Sequence, residues 1–545
     1  MSDLEYILAV DLGTGGPKVA IVSTSGEVVV SELTEIPTDL LPNGGATQDP
    51  NSWWDAIKLS TRHLFEISSV SPNNIVAIST TGQWGSTVGI DENGKVVTDC
   101  ILWMDSRGEK YSREVLAGIG PLEFEGFGLD KAFKFVTKTS GIPALQGNDP
   151  LGHYLLLKNE YPEIFNRVDK FLEPVDFLTF CFTGEKKATP ASMILSWLVD
   201  IRDLSNASYV KDLIDITQRD ESKLPQLIPI GSVAGGVTQE VSNELGIKAG
   251  IPVVSGTPDL LSACTGSGGL DDYEFHMAIS TTSWLSCQVG KKKTDPFRQI
   301  ATVPGPIKNR YMLANNHDTA GICLQWIKQS LYASSKEPKG EPKGEPKGGN
   351  DKSEEISYKD LDGILKDTSP GANGTMFTPW LGGERCPIDD QHLRGSFLNL
   401  SLETTKAEML RAVYEGVAFN AKWMQDAVEH FVKRPTGPIR FIGGGAVSSE
   451  WCQIHADIMN TEILQVDEPL YANVRGAALF ASLYLSKISI EDIKKNIKIK
   501  ERFVPQPKNR KLYDLMYGEF KKIYKSQKAM YKSLNSSKNK DLFKK

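Results

Sequence analysis

Long apolar runs are absent from this chain. None of its 545 residues belongs to an uninterrupted hydrophobic stretch of bilayer-spanning length, and the opening MSDLEYILAV has neither a basic segment nor a small-residue cleavage site. Neither a membrane span nor a secretory leader is expected, and a soluble cytoplasmic protein is the reading that follows. Cysteine is scarce and unpatterned. The seven cysteines, at 100, 181, 264, 287, 323, 386 and 452, are odd in number and never spaced as CxxC, which argues against a disulfide framework and a thiolate zinc site. Basic charge is short as well: 61 basic against 68 acidic residues give a net charge of −7 and leave no basic footprint for nucleic acid. Hydrophobic residues make up 40% of the chain, enough at this length for two domains with cores of their own.

What is present begins at residues 7–16, ILAVDLGTGG, where an apolar strand ends in Asp11 and turns through Gly13, Thr14, Gly15 and Gly16 toward Lys18. Such a turn offers backbone N–H groups and a hydroxyl to anionic oxygens, and Asp11 is placed to hold Mg2+ through water. In a P-loop or a dinucleotide fold the glycines would open a helix. Here residues 19–23 alternate as a second strand and 28–35 as a third, so the phosphate loop sits inside a β-hairpin. A helix over 51–67 and a strand over 74–80 complete a βββαβ unit of the actin-like ATPase type.

Residues 276–290, HMAISTTSWLSCQVG, repeat the device with a Thr-Thr-Ser turn. Two phosphate hairpins suggest duplicated domains that close on one nucleotide from both sides. Between them, Gly256-Thr257-Pro258-Asp259 ends an apolar strand over 251–255 and would project Asp259 into the cleft. A third cluster, Gly443-Gly444-Gly445-Ala446, follows a short strand and precedes a helix expected over 449–459; its glycines would let a flat ring approach the backbone. The expected fold is therefore α/β, with two actin-like (ribonuclease H-like) domains, each a mixed five-stranded sheet flanked by helices, and the active site in the cleft between them. Domain limits fall at 1–256 and 257–490. The stretch 334–355 carries EPKG three times in succession and reads as a solvated insertion. Residues 491–545 read as a lysine-rich helical tail, with an amphipathic surface helix over 512–534.

In this order the motifs resemble those of the FGGY family of carbohydrate kinases, nearest its xylulokinase-like branch, over residues 5–485. The resemblance rests on Asp11-Leu12-Gly13-Thr14-Gly15 with Lys18; Gly82-Gln83; Trp103-Met104-Asp105-Ser106-Arg107; Asp259; Gly321 with Gln325-Trp326; Leu381-Gly382-Gly383-Glu384-Arg385-Cys386-Pro387; Arg394-Gly395; Glu415-Gly416; and the glycines at 443–445. It implies transfer of the γ-phosphoryl group of ATP, with Mg2+, to a terminal hydroxyl of an open-chain sugar or polyol, D-xylulose foremost. The implied partners are ATP and that small acceptor, with neither nucleic acid nor membrane, in a monomer or homodimer.

By the same resemblance Asp259 is the general base, accepting the proton as a loose transition state forms. Asp11 positions Mg2+ through water, and Gly13, Thr14, Gly15, Gly16, Lys18, Thr281 and Thr282 surround the phosphates. Gly321, Gln325, Gly444, Gly445 and Ser449 fall where relatives face the base and ribose. Gln83, Trp84, Gly85 and Asp105 join Asp259 on the sugar side, an ion pair with Arg107 being the alternative for Asp105. Glu384 and Arg385 are expected to brace a domain-joining loop.

Departures from the family pattern concentrate on the acceptor side. Xylulokinases usually carry Gln-Met-His-Gly where this chain has Gln83-Trp84-Gly85-Ser86, so a sugar-bonding histidine is missing. Ala188-Thr189-Pro190-Ala191-Ser192 replaces a more polar segment, and Gly16 stands where serine is common. The nucleotide site reads as serviceable and the sugar site as rewritten. A nucleotide-binding, metabolite-sensing regulator on the same scaffold is the alternative reading.

Overall fold

Strands β1 (Tyr6–Gly13) and β2 (Gly16–Ser23) form the first hairpin, with Asp11 opposite Lys18 and Gly13 opposite Gly16, so that Thr14 and Gly15 alone make the turn. The computed structural model describes residues 4–118, 126–332 and 356–536, with 123–124, 539 and 542; the EPKG stretch lies outside the described residues. Strand β3 (Val28–Leu33) continues the meander, and after helix α1 (Pro50–Ile67) strand β4 (Ile75–Gly82) lies parallel to β1. Helix α2 (Pro174–Thr183) precedes β5 (Val233–Gly236) and β6 (Pro252–Pro258); β6 is parallel to β4, and β5 pairs antiparallel with β6 at the edge. Helix α3 (Asp259–Ser267) begins where β6 stops.

The first sheet thus has six strands, ordered β5-β6-β4-β1-β2-β3, one more than the five expected. The added edge strand is Val-Ala-Gly-Gly, whose two glycines give too little β-propensity to be visible in the sequence. Along β1 the side chains alternate between two buried faces, which is why the strand reads as continuously apolar. Leu8, Val10 and Leu12 join Trp53, Ile57 and Leu64 of α1, whereas Ile7 and Ala9 belong to the core on the other side.

The second sheet opens with the second hairpin, β7 (Phe275–Ile279) and β8 (Ser283–Ser286). Helices α4 (Gly321–Leu331) and α5 (Lys406–Val432) follow, then β9 (Ile439–Ile442), α6 (Ser449–Met459), β10 (Ile463–Val466), α7 (Ala472–Tyr484), β11 (Ile499–Phe503) and α8 (Pro507–Asn535). Its order is β8-β7-β9-β10-β11, with β7, β9 and β10 parallel and both edges antiparallel. Five strands are present as expected, but the fifth comes from beyond residue 490, where the sequence suggested helix alone.

Nor does α8 merely lie on the surface. Tyr513, Met516, Tyr517, Phe520 and Ile523 are buried in the second core, at roughly 1.5–3 kcal/mol for each large apolar side chain. The Tyr513 hydroxyl donates to Glu415 at 2.8 Å, beside the buried Arg411–Glu415 pair at 2.7 Å. Lys522, Lys525 and Lys532 occupy the exposed face.

Helix α7 returns to the first sheet, where Val474, Ala477, Ala478 and Ala481 cover Ile7, Ala9, Ala20 and Val22. On the way it crosses α3 backbone to backbone. A Cβ at Gly476 would lie 1.9 Å from the Ser262 carbonyl oxygen, and one at Gly266 would lie 1.7 Å from that of Ala472. No side chain fits at either position. Among the described residues no helix is long and apolar enough to cross a membrane, and the seven cysteines are unpaired, all buried except the half-buried Cys181.

Candidate active site

The parallel strands β1, β4 and β6 end side by side, with Leu12 and Pro258 both paired with Gly82. Their carboxyl ends therefore present Asp11, Gln83 and Asp259 along one edge, the usual place for a ligand in an α/β sheet. Asp259 is the first residue of α3 and is half-buried. Desolvation, and then the nearby Asp11 charge, pushes its pKa from 3.8 up to about 7, against the pull of the Leu260 N–H. Asp11 is raised too, by desolvation, with Lys18 countering it. The two carboxyls therefore share one site.

The first phosphate loop admits no side chain at Gly16. Its φ is +129°, and a Cβ would sit 2.0 Å from the Thr34 carbonyl oxygen, which explains glycine where serine is common. A cavity of ≈ 670 Å³ is lined by Asp11, Gly13, Gly15, Gly16 and Lys18, with Glu35 and Ile36 opposite. Lys18 lies at the rim, its Nζ donating to the Leu470 carbonyl at 2.9 Å.

In the second loop, Thr281 is exposed and Thr282 half-buried, and the turn is tied to the start of α4. The Ala320 N–H donates to Thr281 O at 2.9 Å and the Gly321 N–H to Ser280 O at 2.8 Å. Gly321 is glycine because a Cβ would meet that Ser280 oxygen at 2.2 Å. Gln325, one turn on, is exposed. Behind the turn, Ser283 bonds the His317 ring at 3.0 Å, and buried Glu384 accepts from the Asp318 N–H at 3.2 Å and the Arg385 N–H at 2.8 Å. Desolvation and then Asp318 lift the Glu384 pKa to about 8. Glu384 and Arg385 brace the 318–321 segment, and Arg385 meets Asp318 at 3.1 Å.

Of the glycine triplet, Gly443 has φ +84° and would clash with Ile279 O at 2.6 Å, and Gly445 would clash with the Ile279 side chain at 2.5 Å. Gly444 is exposed and is the open member. Ser449, the first residue of α6, donates its hydroxyl to Glu501 of β11 at 3.4 Å; its neighbour Ser448 caps α6 by accepting the Trp451 N–H.

On the acceptor side Gln83 is tied to β1 through Leu12 O at 2.8 Å. Trp84 is half-buried and donates its indole N–H to Ser192 O at 2.8 Å, and the Gly85 N–H donates to Glu173 at 3.0 Å. Asp105 does not reach the cleft. It is fully buried and takes Arg107 through a fork at 2.7–3.1 Å, together with the Ala46 N–H at 2.9 Å, so the Arg107 pairing prevails over sugar bonding. Two neighbours went unassigned in the sequence. Trp103 donates its indole N–H to Thr14 Oγ1 at 3.2 Å, linking the acceptor wall to the phosphate loop. Glu173 was visible only as a residue before a helix-opening proline.

A divalent cation suits these donors. Asp11 is the oxygen donor expected to face such a cation, and among the described residues no cluster of three or more His, Cys, Asp or Glu could hold a metal.

Two family models match the chain: the N-terminal domain of the FGGY family of carbohydrate kinases over residues 6–266 and its C-terminal domain over 280–485. The xylulose kinase of Staphylococcus epidermidis is 28% identical over 541 residues, covering 96% of this chain and 98% of that one. A gluconokinase of Bacillus subtilis is 25% identical over 488 residues, covering 89% of each. In fold, the chain is similar to a ligand-bound xylulose kinase from Lactobacillus acidophilus (TM-score 0.82, 24% identity, 98% of this chain and 100% of that one). A gluconate kinase from the same organism is almost as similar, with TM-score 0.81, 24% identity and the same coverage.

Proposed function

This chain belongs to the FGGY family of carbohydrate kinases, and from that premise we propose that it transfers the γ-phosphoryl group of ATP, bound with Mg2+, to a terminal hydroxyl of D-xylulose or a related ketose or polyol. The observation that carries the reading is the convergence of Asp11 and Asp259 on one strand edge, with the Asp259 pKa lifted to about 7. An aspartate is far more acidic than an alcohol, so Asp259 takes the hydroxyl proton as the transition state forms, and its raised pKa brings it closer to the operating pH. Most of the acceleration comes from alignment and charge neutralisation. Gly13, Thr14, Gly15, Gly16 and Lys18 hold the phosphates from one hairpin, Thr281 and Thr282 from the other. Asp11 would hold the cation, which would supply neutralisation of the phosphate charge. Gly321, Gln325, Gly444, Gly445 and Ser449 face the base and ribose.

Relatives named for xylulose and for gluconate both support a small polyhydroxylated acceptor. A neutral one is favoured because Gln83, Trp84, Gly85 and Ser86 carry no charge and Arg107 is engaged by Asp105. The test is coupled ADP formation with MgATP across ketoses, polyols and sugar acids, comparing wild type with Asp259→Ala. ADP release that requires both an acceptor and Asp259 supports the kinase; silence across the panel with nucleotide binding intact turns the reading toward a regulator.

A further inference from the structure

Helix α2 opens directly beneath the acceptor wall. Its first turn is pressed on the ends of β4 and β6: a Cβ at Gly256 would lie 2.8 Å from the Val175 carbonyl oxygen and 3.0 Å from Thr80 Oγ1, and Thr80 bonds Thr179 of α2 at 3.1 Å. Glu173, immediately before α2, is 3% exposed; one carboxylate oxygen accepts the Gly85 N–H at 3.0 Å and the other has no partner. Asp176, 1% exposed, lies in the first turn of α2 and also keeps an oxygen without a partner, and the Ser192 hydroxyl donates to the Thr189 carbonyl at 3.1 Å. Ser192 in turn holds the Trp84 indole.

The loop over 83–86 therefore hangs at two points, its backbone on the Glu173 carboxyl and its largest side chain on the Ser192 carbonyl. Gly85 has φ +80°, a left-handed conformation that depends on what fixes its amide. Two buried carboxyls so placed are unfavourable in themselves: desolvation, then Asp176, pushes Glu173 well above the usual carboxylate range.

We propose that Glu173 is a positioning residue that sets acceptor selectivity, by fixing the Gly85 backbone and with it the Trp84 indole on the acceptor side of the cleft. The inference rests on the kinase reading above. Glu173 bonds the Gly85 amide, whereas Asp11 stands on β1 and Asp259 opens α3, so its loss loosens the acceptor wall and spares the nucleotide site.

Steady-state kinetics of the full-length protein test this with wild type, Glu173→Ala and Glu173→Gln, using MgATP and the panel of ketoses, polyols and sugar acids. Glu173→Ala is expected to raise the KM for the best acceptor about tenfold, since the buried hydrogen bond that fixes the Gly85 amide is lost, and to narrow the kcat/KM ratio between acceptors. The KM for MgATP should stay within about twofold, and Glu173→Gln, whose amide oxygen still accepts the Gly85 N–H, should restore the acceptor KM to within about threefold. Should the alanine variant not fold, Glu173→Asp, one methylene short of the Gly85 amide, carries the same expectation. An unchanged acceptor KM, a parallel rise in both KM values, or a Gln variant as impaired as Ala overturns the assignment alone. A wild type that turns over no acceptor overturns the kinase reading and this assignment with it.

Discussion

Lys18 of the first phosphate hairpin donates its ammonium to the Leu470 carbonyl at 2.9 Å, in the turn that leads into α7. The preceding carbonyl of that turn, Pro469 O, accepts the Gly443 N–H at 2.9 Å. One short turn thus bonds both the loop that would hold phosphate and the loop that would face the base, on opposite sides of the cleft.

Replacing Lys18 should disturb both. Lys18→Met is expected to weaken MgATP binding about tenfold, in line with loss of a charge-assisted contact, and to raise the Asp11 pKa further because its countering charge is gone. Calorimetric titration with a non-hydrolysable ATP analogue reads the first effect, and unchanged affinity would remove Lys18 from the phosphate site.

Asp259→Asn should lower kcat by about 10²–10⁴-fold, the usual worth of a general base, while nucleotide affinity stays near that of wild type. Retention of more than a tenth of wild-type turnover would leave the base unassigned.

The pH dependence has a definite sign. With its folded pKa raised to about 7 from 3.8, Asp259 is protonated in the free enzyme below neutrality, so kcat/KM should fall about tenfold per pH unit below about pH 7. A bound divalent cation favours the carboxylate, and kcat at saturating MgATP should hold to lower pH. For stability the same shift favours the folded state fully below about pH 4 and loses that contribution as the pH rises through about 7. Asp259→Asn should therefore melt higher than wild type at pH 8 and show no such gain at pH 4, which differential scanning calorimetry at the two pH values decides.

Gly16→Ser, although it restores a residue common in relatives, should harm this chain. The left-handed backbone alone costs about 1–3 kcal/mol, and the Cβ collides with Thr34 O at 2.0 Å. A lower Tm together with a raised KM for MgATP is expected; a variant matching wild type in both would mean that the loop rebuilds freely.

Locally encoded features were the legible ones. Both hairpins, α1 and α6 announce themselves through alternation, helix-capping residues and turn glycines that act within a few positions of each other. Features made by distant contacts were not. The strand at Val233–Gly236 exists because β6 offers it an edge, and α8 is held by a core assembled from residues a hundred positions away. Asp105 shows the same limit at the site: its sequence allowed two partners, and only burial and the Arg107 fork choose between them. The helix over 449–459, by contrast, starts and stops where the sequence placed it, with Ser448 as its cap.

The crossing of α3 and α7 changes what counts as an exchangeable part of this enzyme. Gly266 and Gly476 are useful only as a pair, since a side chain on either helix strikes the backbone of the other. Chimeras that join one relative's first half to another's second half at a linker would separate them, and would also hand the first sheet a foreign cover for Ile7 and Ala9. The natural cut is discontinuous: α7 must be inherited with β1, β2 and α3, although more than two hundred residues of the other lobe lie between them in the chain.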